Sequence, residues 1–185
     1  KEFGYVVKHL AVAKKSNQGI ELRSHPVLLK TSSNLANLKG VRNGIQIDTD
    51  LLGEFHVAGS GAGQESTASG IISDLVSLVR TNSGESMSMP KFDDTAAIVP
   101  FEQLAFRYYI YLAVTDKPGV LAKLTQIFAD HGVSFDKVLQ KEHIKKDVPI
   151  IIITDLISES KMQEALIKIN KSGDIHSAKI IRIED

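Results

Sequence analysis

The chain has 185 residues, a length that accommodates one or two domains. Its 43% of hydrophobic residues suffice for a packed core and exclude wholesale disorder. With 22 basic residues balanced by 22 acidic ones and only 6% aromatics, the chain lacks the basic surface and stacking platform of nucleic-acid-binding proteins.

The sequence has no cysteine, which excludes disulfides, thiolate nucleophiles and zinc–sulfur sites. This fits a reducing compartment, and we expect the protein to be cytoplasmic. No apolar run approaches the ~20 residues that a membrane-spanning helix needs, so we expect no membrane partner. The first residues contain no initiator Met and begin within a strand-like pattern, which suggests a fragment or trimmed form of a longer protein.

The first 58 residues predict a strand-rich piece of sheet. Residues 5–14 (YVVKHLAVAK) are apolar and rich in β-branched side chains, as is typical of a strand. The polar cluster at 15–19 predicts a turn, in which Gly19 can adopt a positive φ. The alternating run IELRSHPVLL then predicts the return strand, up to or around Pro26.

A short helix and two more strands are predicted next. Ser32 or Ser33 can begin the helix, and Gly40 can end it. Two further strand runs follow, with Gly44 or Gly53 marking a turn or a bulge between them.

The stretch FHVAGSGAGQESTASGIISDLVSLVR contains a glycine-rich turn between a strand and a helix. Gly59 and Gly61 fit the dinucleotide fingerprint G-x-G-x-x-G, but Gln64 occupies its third glycine position. No acidic residue at the end of a following strand is available for a ribose, so the Rossmann unit is incomplete. Glycines and a helix N-terminus still allow close approach of an anion or a polar ligand edge. A tight strand–helix turn without a ligand is the other open interpretation.

The helix after the glycines has apolar residues at helical spacing, and Ser66 or Thr67 is its predicted N-cap. The apolar stripe comprises Ala68, Ile71, Ile72, Leu75, Leu78 and Val79. From Thr81 to Pro100 the sequence is polar, Ser-rich and aperiodic, which predicts a linker and a domain boundary.

Common catalytic motifs are missing. A P-loop would need Lys followed by Ser or Thr after the last glycine, but Gly63 is followed by Gln64 and Glu65. No G-x-S-x-G elbow occurs. The six histidines, His9, His25, His56, His131, His143 and His176, show no metal-ligand spacing. We therefore predict no catalytic residue and no metal site in this chain.

The second half predicts the element order βαββαβ, which specifies a ferredoxin-like sandwich and makes the whole chain α+β. Its segments are the strand RYYIYLAVTD, the helix KPGVLAKLTQIFADHG, the strand VSFDKVLQK, the turn EHIKKD, the strand VPIIIITD, the helix SESKMQEALIKINKSG and the strand IHSAKIIRIED. Gly132 ends the first helix, while Ser158 and Gly173 bound the second. The inward positions are Val120, Leu121, Leu124, Ile127, Phe128, Met162, Ala165, Leu166 and Ile169.

The start of the first of these helices is a second candidate site. Asp116 can cap the helix, Pro118 presets its first turn, and Gly119 lets the backbone approach a ligand closely. Free N–H groups of this turn could bind a small carboxylate. A capped helix start without a ligand is the other interpretation, and the spacing leaves both open.

Both features resemble one family. TDKPGVLAKLTQIFADHGVSFDKVLQ is similar to the opening of an ACT domain, a βαββαβ module that senses small molecules, often amino acids, and the match extends from about Arg107 to Glu184. GSGAGQESTASGIISDLVSLVR, preceded by YVVKHLAVAKK and GIELRSHPVLL, resembles homoserine dehydrogenase, which carries GxGAG-x-x-x-TAS followed by a helix. The resemblance covers essentially the whole chain and implies the C-terminal part of a member of that family.

The resemblance implies three segments: the end of the catalytic domain at 1–82, a linker at 83–104 and an ACT domain at 105–185. The first is a strand-rich partial substrate domain with a return helix. In the family the Rossmann unit and the catalytic Lys and Asp precede the region resembled here. We therefore expect this chain alone to be inactive and to bind no cofactor alone.

The implied reaction is the NAD(P)-dependent interconversion of aspartate 4-semialdehyde and homoserine, on the route to threonine and methionine. The glycine turn and its helix would pack on the nucleotide domain and border the cofactor. The cofactor-side residues implied are Gly61, Ala62, Gly63, Thr67 and Ser69. The family often has Leu-Pro before the Thr, where this chain has Glu65 and Ser66, so the proline that would stiffen the helix entry is missing.

The ACT domain implies feedback regulation by an amino acid, with threonine as the expected effector. Paired ACT domains commonly bind effectors at their interface, so we expect at least a homodimer. The effector-binding residues implied are Asp116, Lys117, Pro118, Gly119, Val120, Leu121, Val133 and Ser134. Many such domains have Asn near 134, and the shorter reach of Ser134 leaves the effector's identity open. The alternative function is a stand-alone amino-acid-binding dimerisation module without catalysis.

Overall fold

The computed structural model describes residues 3–80, 96–142 and 147–184. Part of the predicted linker, from 83 to 95, and His143 in the predicted turn lie outside these residues. The elements in chain order are β1 (Tyr5–Ser16), β2 (Gly19–Lys30), β3 (Arg42–Thr49), β4 (Gly53–Ser60), α1 (Gln64–Arg80), β5 (Ala105–Thr115), α2 (Val120–Asp130), β6 (Phe135–Gln140), β7 (Asp147–Thr154), β8 (Ile157–Ser158), α3 (Glu159–Asn170) and β9 (Ile175–Glu184). They form two compact units, one made of residues up to Lys30 and from Ala96 onward, the other of the residues between them.

The first unit is built on a sheet with the strand order β1-β2-β9-β5-β7-β6. Its last four strands have the order of a ferredoxin-like βαββαβ module, so the predicted α+β fold is confirmed. The β1–β2 hairpin extends this sheet, because β2 pairs parallel to β9 from Val27↔Arg182 to Leu29↔Glu184. The proposed boundaries at 82 and 104 stay a prediction.

The core of this unit lies between the sheet and the two helices α2 and α3. Alternate residues of β5 point into it, as period-two alternation requires. The buried apolar residues of these helices are Val120, Leu124, Phe128, Met162, Ala165, Leu166 and Ile169. Ile127 is partly buried and Leu121 is exposed, so the predicted inward position of Leu121 is wrong. Each fully buried large apolar side chain contributes about 2 kcal/mol by its removal from water.

Residues 96–104, within the predicted linker, contact the β1–β2 hairpin. Ile20 N–H donates to Ala97 O at 2.8 Å, and Val99 N–H donates to Ile20 O at 2.9 Å. Gly19 has φ 136°, and a Cβ there would lie 2.3 Å from Ala97 O. The turn therefore requires glycine both for its backbone conformation and for the close approach of this segment.

A charged cluster joins the strands to α3. The Glu159 carboxylate, only 4% exposed, accepts hydrogen bonds from Tyr108 Oη at 2.6 Å and from Gln163 Nε2 at 2.7 Å. Arg182 binds the same carboxylate bidentately, at 2.8 Å from Nε and 2.6 Å from Nη2. Arg182 also lies over the rings of Phe101 and Phe106, with 5.0 and 5.5 Å to their centroids. One buried anion thus connects β5, β9 and α3.

In the second unit, β3 and β4 form a two-stranded antiparallel ribbon. Gly53 has φ 67° where the ribbon turns, whereas Gly44 lies within β3 opposite Ala58, so the turn is at Gly53. The predicted short helix is a single 3-10 turn, Leu35–Asn37. Ser33 Oγ accepts a hydrogen bond from Ala36 N–H at 3.2 Å there.

Helix α1 begins at Gln64, so the predicted N-caps Ser66 and Thr67 are wrong. Both hydroxyls instead donate to Gly63 O, because as residues of the first helical turn they lie above that carbonyl. The helix has no buried residue, and its large apolar side chains Ile71, Ile72, Leu75, Leu78 and Val79 are between 56% and 76% exposed. Among the described residues, no helix is long and apolar enough to cross a membrane.

The Glu159 cluster sets a pH dependence. Burial by itself raises the pKa of Glu159, but hydrogen bonds from Arg182, Tyr108 and Gln163 outweigh burial, so the pKa lies below its ordinary value. Such a carboxyl stabilises the fold above its unfolded pKa of about 4.3, and that contribution is lost as the pH falls through the folded pKa. Burial and the bond to Glu159 raise the pKa of Tyr108, which therefore stays protonated as the donor.

We predict that Arg182→Met lowers the free energy of unfolding by about 3 kcal/mol at pH 7, because a buried carboxylate loses its counter-ion. The loss should shrink below about pH 4, where Glu159 takes up a proton in the variant. Urea unfolding followed by far-UV circular dichroism at pH 7 and about pH 3.5 measures both effects. Lys123→Met, which breaks an exposed ion pair with Asp174, is the matched control and should change stability little. Equal losses in the two variants would contradict the prediction.

Candidate functional site

The glycine turn is an exposed strand-to-helix junction. Gly61 N–H donates to Val41 O at 2.8 Å, which closes the end of the β3–β4 ribbon. Gly63 has φ 128°, a conformation that residues with a Cβ rarely adopt. The chain can therefore reverse direction within two residues and enter α1 at Gln64.

The carbonyl of Gly63 organises the first turn of α1. It accepts the Thr67 N–H at 3.1 Å, the Thr67 hydroxyl at 2.8 Å and the Ser66 hydroxyl at 3.0 Å. The Thr67 hydroxyl has thereby used its one proton, so toward a ligand it can only accept. The first N–H groups of α1, in contrast, have no intrahelical acceptor and point out of the helix start.

The predicted cofactor-side residues share this exposed region. Gly61, Ala62, Gly63 and Thr67 lie together at the turn. Ser69 follows Thr67 by two positions on α1, and residues at that spacing point to different faces of a helix. The structure thus brings four of the five together and turns Ser69 away from Thr67.

The charge of the turn restricts what it can bind. Glu65 is the only ionisable residue between Gly61 and Gly70, and it lies in the first turn of α1. A carboxylate there stabilises the helix dipole but repels a phosphate. The exposed N–H groups can donate hydrogen bonds to a ligand, and Glu65 makes the turn less favourable for an anion than a helix start without a carboxylate.

The second candidate site is the turn between β5 and α2. The N-cap residue of α2 is Gly119, with φ 89°, so Asp116 is not the N-cap as predicted. The turn needs a left-handed residue at this point, and only glycine adopts that conformation without strain. Asp116, Lys117, Pro118, Gly119 and Leu121 are exposed.

The other predicted effector residues divide by burial. Val120 and Val133 have buried side chains in the core, so only their backbone groups could face a ligand. Ser134, just before β6, is exposed, and its carbonyl accepts Asp155 N–H at 3.0 Å. Its hydroxyl remains on the surface.

Polar residues distant in sequence border this turn. Lys123 Nζ donates to Asp174 Oδ2 at 2.7 Å and to Ser172 O at 3.1 Å, and the bond to Lys123 lowers the pKa of Asp174. His176 lies between Asp147 Oδ1, at 2.6 Å from its Nδ1, and Thr115 Oγ1, at 3.2 Å from its Nε2. Sequence reasoning missed these neighbours because the fold alone brings them together: pairing of β5 with β7 and β9 places Asp147 and His176 beside Thr115, and α2 carries Lys123 to the residue before β9.

A cavity of about 420 Å³ lies on the sheet of the first unit. It is lined by Tyr109, Tyr111, Lys179, Ile180 and Ile181, none of which is a predicted effector residue. Within the described residues, no group of three or more His, Asp or Glu side chains could hold a metal ion.

The fold defines a class of protein in which a ferredoxin-like βαββαβ module follows a strand–turn–helix unit in the chain. Residues 1–76 match the family model described as homoserine dehydrogenase, and residues 108–173 match that of the ACT domain. These matches confirm the predicted resemblance to the C-terminal part of homoserine dehydrogenase.

Relatives match along nearly the whole chain. The homoserine dehydrogenase of Helicobacter pylori is 35% identical, and the match covers 100% of this chain and 44% of that protein. The homoserine dehydrogenase of Pseudomonas aeruginosa is 32% identical, and the match covers 97% of this chain and 43% of that protein. The crystal structure of a homoserine dehydrogenase from Thiobacillus denitrificans superposes with a TM-score of 0.87 at 34% identity, covering 100% of this chain and 43% of that one. The chain thus spans less than half the length of these relatives.

Proposed function

We propose that this chain forms the cofactor-bordering turn and the regulatory module of an NAD(P)-dependent homoserine dehydrogenase. The observation that carries the proposal is the exposed Gly61–Thr67 turn, which opens a helix whose apolar stripe is also exposed. A tight turn without a ligand does not require an exposed backbone followed by a helix with exposed apolar side chains. The complete enzyme would interconvert aspartate 4-semialdehyde and homoserine, on the route to threonine and methionine, in the cytoplasm.

In this proposal NAD(P) supplies or accepts the hydride when it is bound, and the residues of this chain only bind and orient. The backbone of Gly61, Ala62 and Gly63 would present N–H groups to a neutral edge of the cofactor. Thr67 would accept a hydrogen bond, since its proton is engaged by Gly63 O. Proton transfer would fall to residues outside this chain, which fits the absence of a catalytic motif in its sequence.

The apolar stripe of α1 supports docking on a nucleotide-binding domain. Ile71, Ile72, Leu75, Leu78 and Val79 recur at the spacing of one helix face, and all are exposed. A contiguous exposed apolar surface of this kind marks an interaction site. Burying such side chains contributes about 2 kcal/mol each before the costs of association, which is enough to hold the turn against a neighbouring domain.

The full-length protein should reduce aspartate 4-semialdehyde with NADPH or NADH, whereas this chain alone should not. Leu75→Asp, on the apolar stripe of α1, should lower kcat/KM of the full-length protein at least about tenfold, because it places a charge in the proposed interface. Ser73→Asp introduces the same charge on the opposite face of the helix and is the matched control, which should have little effect. A full-length protein that does not reduce the semialdehyde would refute the proposed reaction.

The C-terminal module would bind an amino acid at the β5–α2 turn. Gly119 has no side chain to cover the first N–H groups of α2, and the exposed residues Asp116, Lys117 and Ser134 border the same region. Backbone N–H groups at a helix start favour a carboxylate, which every free amino acid carries. Threonine is the proposed effector, since feedback by the end product fits the implied pathway.

Calorimetric titration of this chain should show saturable binding of threonine and weaker binding of serine, methionine and isoleucine. Gly119→Val should abolish binding, because a β-branched residue is strained at φ 89° and covers the turn. Ser134→Ala should weaken it about fivefold if the hydroxyl contacts the ligand. Ser160→Ala, on α3, is the control. If neither this chain nor the full-length protein binds any of the four, the module does not sense these amino acids.

We also propose that the protein is at least a homodimer. β6 is an edge strand of the sheet, and it exposes Val138 and Leu139. An exposed edge with apolar side chains offers unpaired backbone groups to a second copy. Effectors bound between paired modules would then be sensed by both subunits.

Light scattering should give a dimer or larger at micromolar concentration. Val138→Glu should shift the mass toward the monomer, because two carboxylates would meet at or near the symmetric strand pair. Lys161→Glu, on the exposed face of α3, changes charge by a larger amount and should leave the mass unchanged. A monomeric wild type would overturn the proposal.

A stand-alone amino-acid-binding module is the second candidate function. It is favoured by one observation, that the βαββαβ core is complete within the described residues of this chain. The reading frame upstream of Lys1 separates the two candidates. A strand followed by G-x-G-x-x-G and a helix would support the dehydrogenase, while a start codon close to Lys1 would support the module.

A further inference from the structure

The three glycines of the turn are glycines for different reasons. Gly63 has a left-handed φ of 128°. Gly61 does not have a left-handed φ, but a Cβ there would lie 1.9 Å from Asn43 Nδ2 and 2.3 Å from Asn43 Cγ. A Cβ at Gly59 would meet nothing within 4 Å. Of these three glycines, only Gly61 would bring an added Cβ against the Asn43 side chain, which would then have to move.

The ribbon explains why Asn43 reaches Gly61. Asn43 pairs with Gly59 across β3 and β4, and Gly61 follows two residues later. Positions i and i+2 of an extended chain share a face, so Gly61 is a diagonal neighbour of Asn43. Gly61 N–H is also bonded to the carbonyl of Val41, just before β3, at 2.8 Å, so both this bond and the Asn43 carboxamide contact the chain at 61.

The Asn43 carboxamide is otherwise unengaged. It is exposed, and among the described residues it makes no hydrogen bond that would explain an asparagine here. The carboxamide is planar and short, and it occupies the space beside Gly61 that a Cβ there would need. The turn that it supports presents the N–H groups that begin α1.

We propose that Asn43 is a positioning residue for the Gly61–Gly63 turn. Its carboxamide fills the space that a side chain at 61 would take and so fixes the position of the turn relative to β3 and β4. The proposal rests on the proposed function, in which this turn borders NAD(P). The same contact explains one glycine of the G-x-G motif, since Gly61 leaves room for the Asn43 side chain.

The test is a double-mutant cycle in the full-length protein, with NADPH and NADH as probes. Asn43→Ala should raise the dissociation constant of the preferred cofactor about tenfold, because a small displacement of a binding turn has a large effect. Gly61→Ala should do the same by displacing the carboxamide, since the backbone conformation at 61 accepts a Cβ. Gly59→Ala adds the same methyl group two residues earlier without a contact and is the matched control.

The double variant Asn43→Ala/Gly61→Ala decides between positioning and two independent effects. The methyl group introduced at position 61 would fill the space that the carboxamide left, so cofactor affinity should recover toward the wild-type value. Affinity losses that multiply, or a dissociation constant of the Asn43→Ala variant within about twofold of the wild type, would overturn the proposal.

The same cycle separates this proposal from the proposed function. If the wild-type protein binds neither NADPH nor NADH, the proposed function fails. Thermal unfolding of the four proteins still reports whether positions 43 and 61 are coupled. Non-additive changes in melting temperature would show that the Asn43 side chain and position 61 interact, as proposed. Additive changes would overturn the proposal.

Discussion

The carboxylate of Glu159 is the group on which the arrangement of the first unit depends. A buried carboxylate must be paired and hydrogen-bonded, or its burial would destabilise the fold by several kcal/mol. Its donors come from three elements, with Tyr108 on β5, Arg182 on β9 and Gln163 on α3 itself. The start of α3 is therefore held over the sheet by directional bonds, which apolar packing alone does not supply.

The same cluster extends to the hairpin that widens the sheet. Arg182 pairs in register with Val27 of β2, and Arg23 of β2 binds Glu184 of β9 at 2.7 Å. Phe106 lies beneath the guanidinium groups of both arginines. The parallel β2–β9 contact has three register pairs, and the hairpin is held to the C-terminal module both by these charged and aromatic contacts and by the buried side chains of Val27, Leu28 and Leu29.

The second unit is organised differently. The ribbon of β3 and β4 and the helix α1 expose apolar residues such as Ile45, Val57 and Leu75, and α1 buries none. The best-defined feature of this unit is its turn. Gly63 has a left-handed backbone conformation there, and Gly61 leaves room for the Asn43 side chain. The proposed function rests on this combination, since a contiguous exposed apolar surface marks an interaction site.

The sequence by itself determined the periodic elements. The βαββαβ order, the helix after the glycines and the buried stripe from Met162 to Ile169 followed from hydrophobic spacing, because burial on one face imposes that spacing locally. The motifs likewise placed both candidate turns. The N-caps were wrong at Ser66, Thr67 and Asp116, since a polar side chain near a helix start does not reveal which backbone group it will bond.

Only the tertiary structure decided which distant residues meet. No local sequence pattern encodes the pairing of β2 with β9, the Glu159–Arg182 pair or the contact of Lys123 with Asp174. Such contacts join residues that are far apart in the chain, up to 161 positions for Arg23 and Glu184. The contact of Asn43 with Gly61 is of the same kind, because the register of the ribbon sets it. Hydrophobic periodicity depends only on residues close in sequence and therefore predicts single helices and strands. Strand register and packing depend on residues from the whole chain.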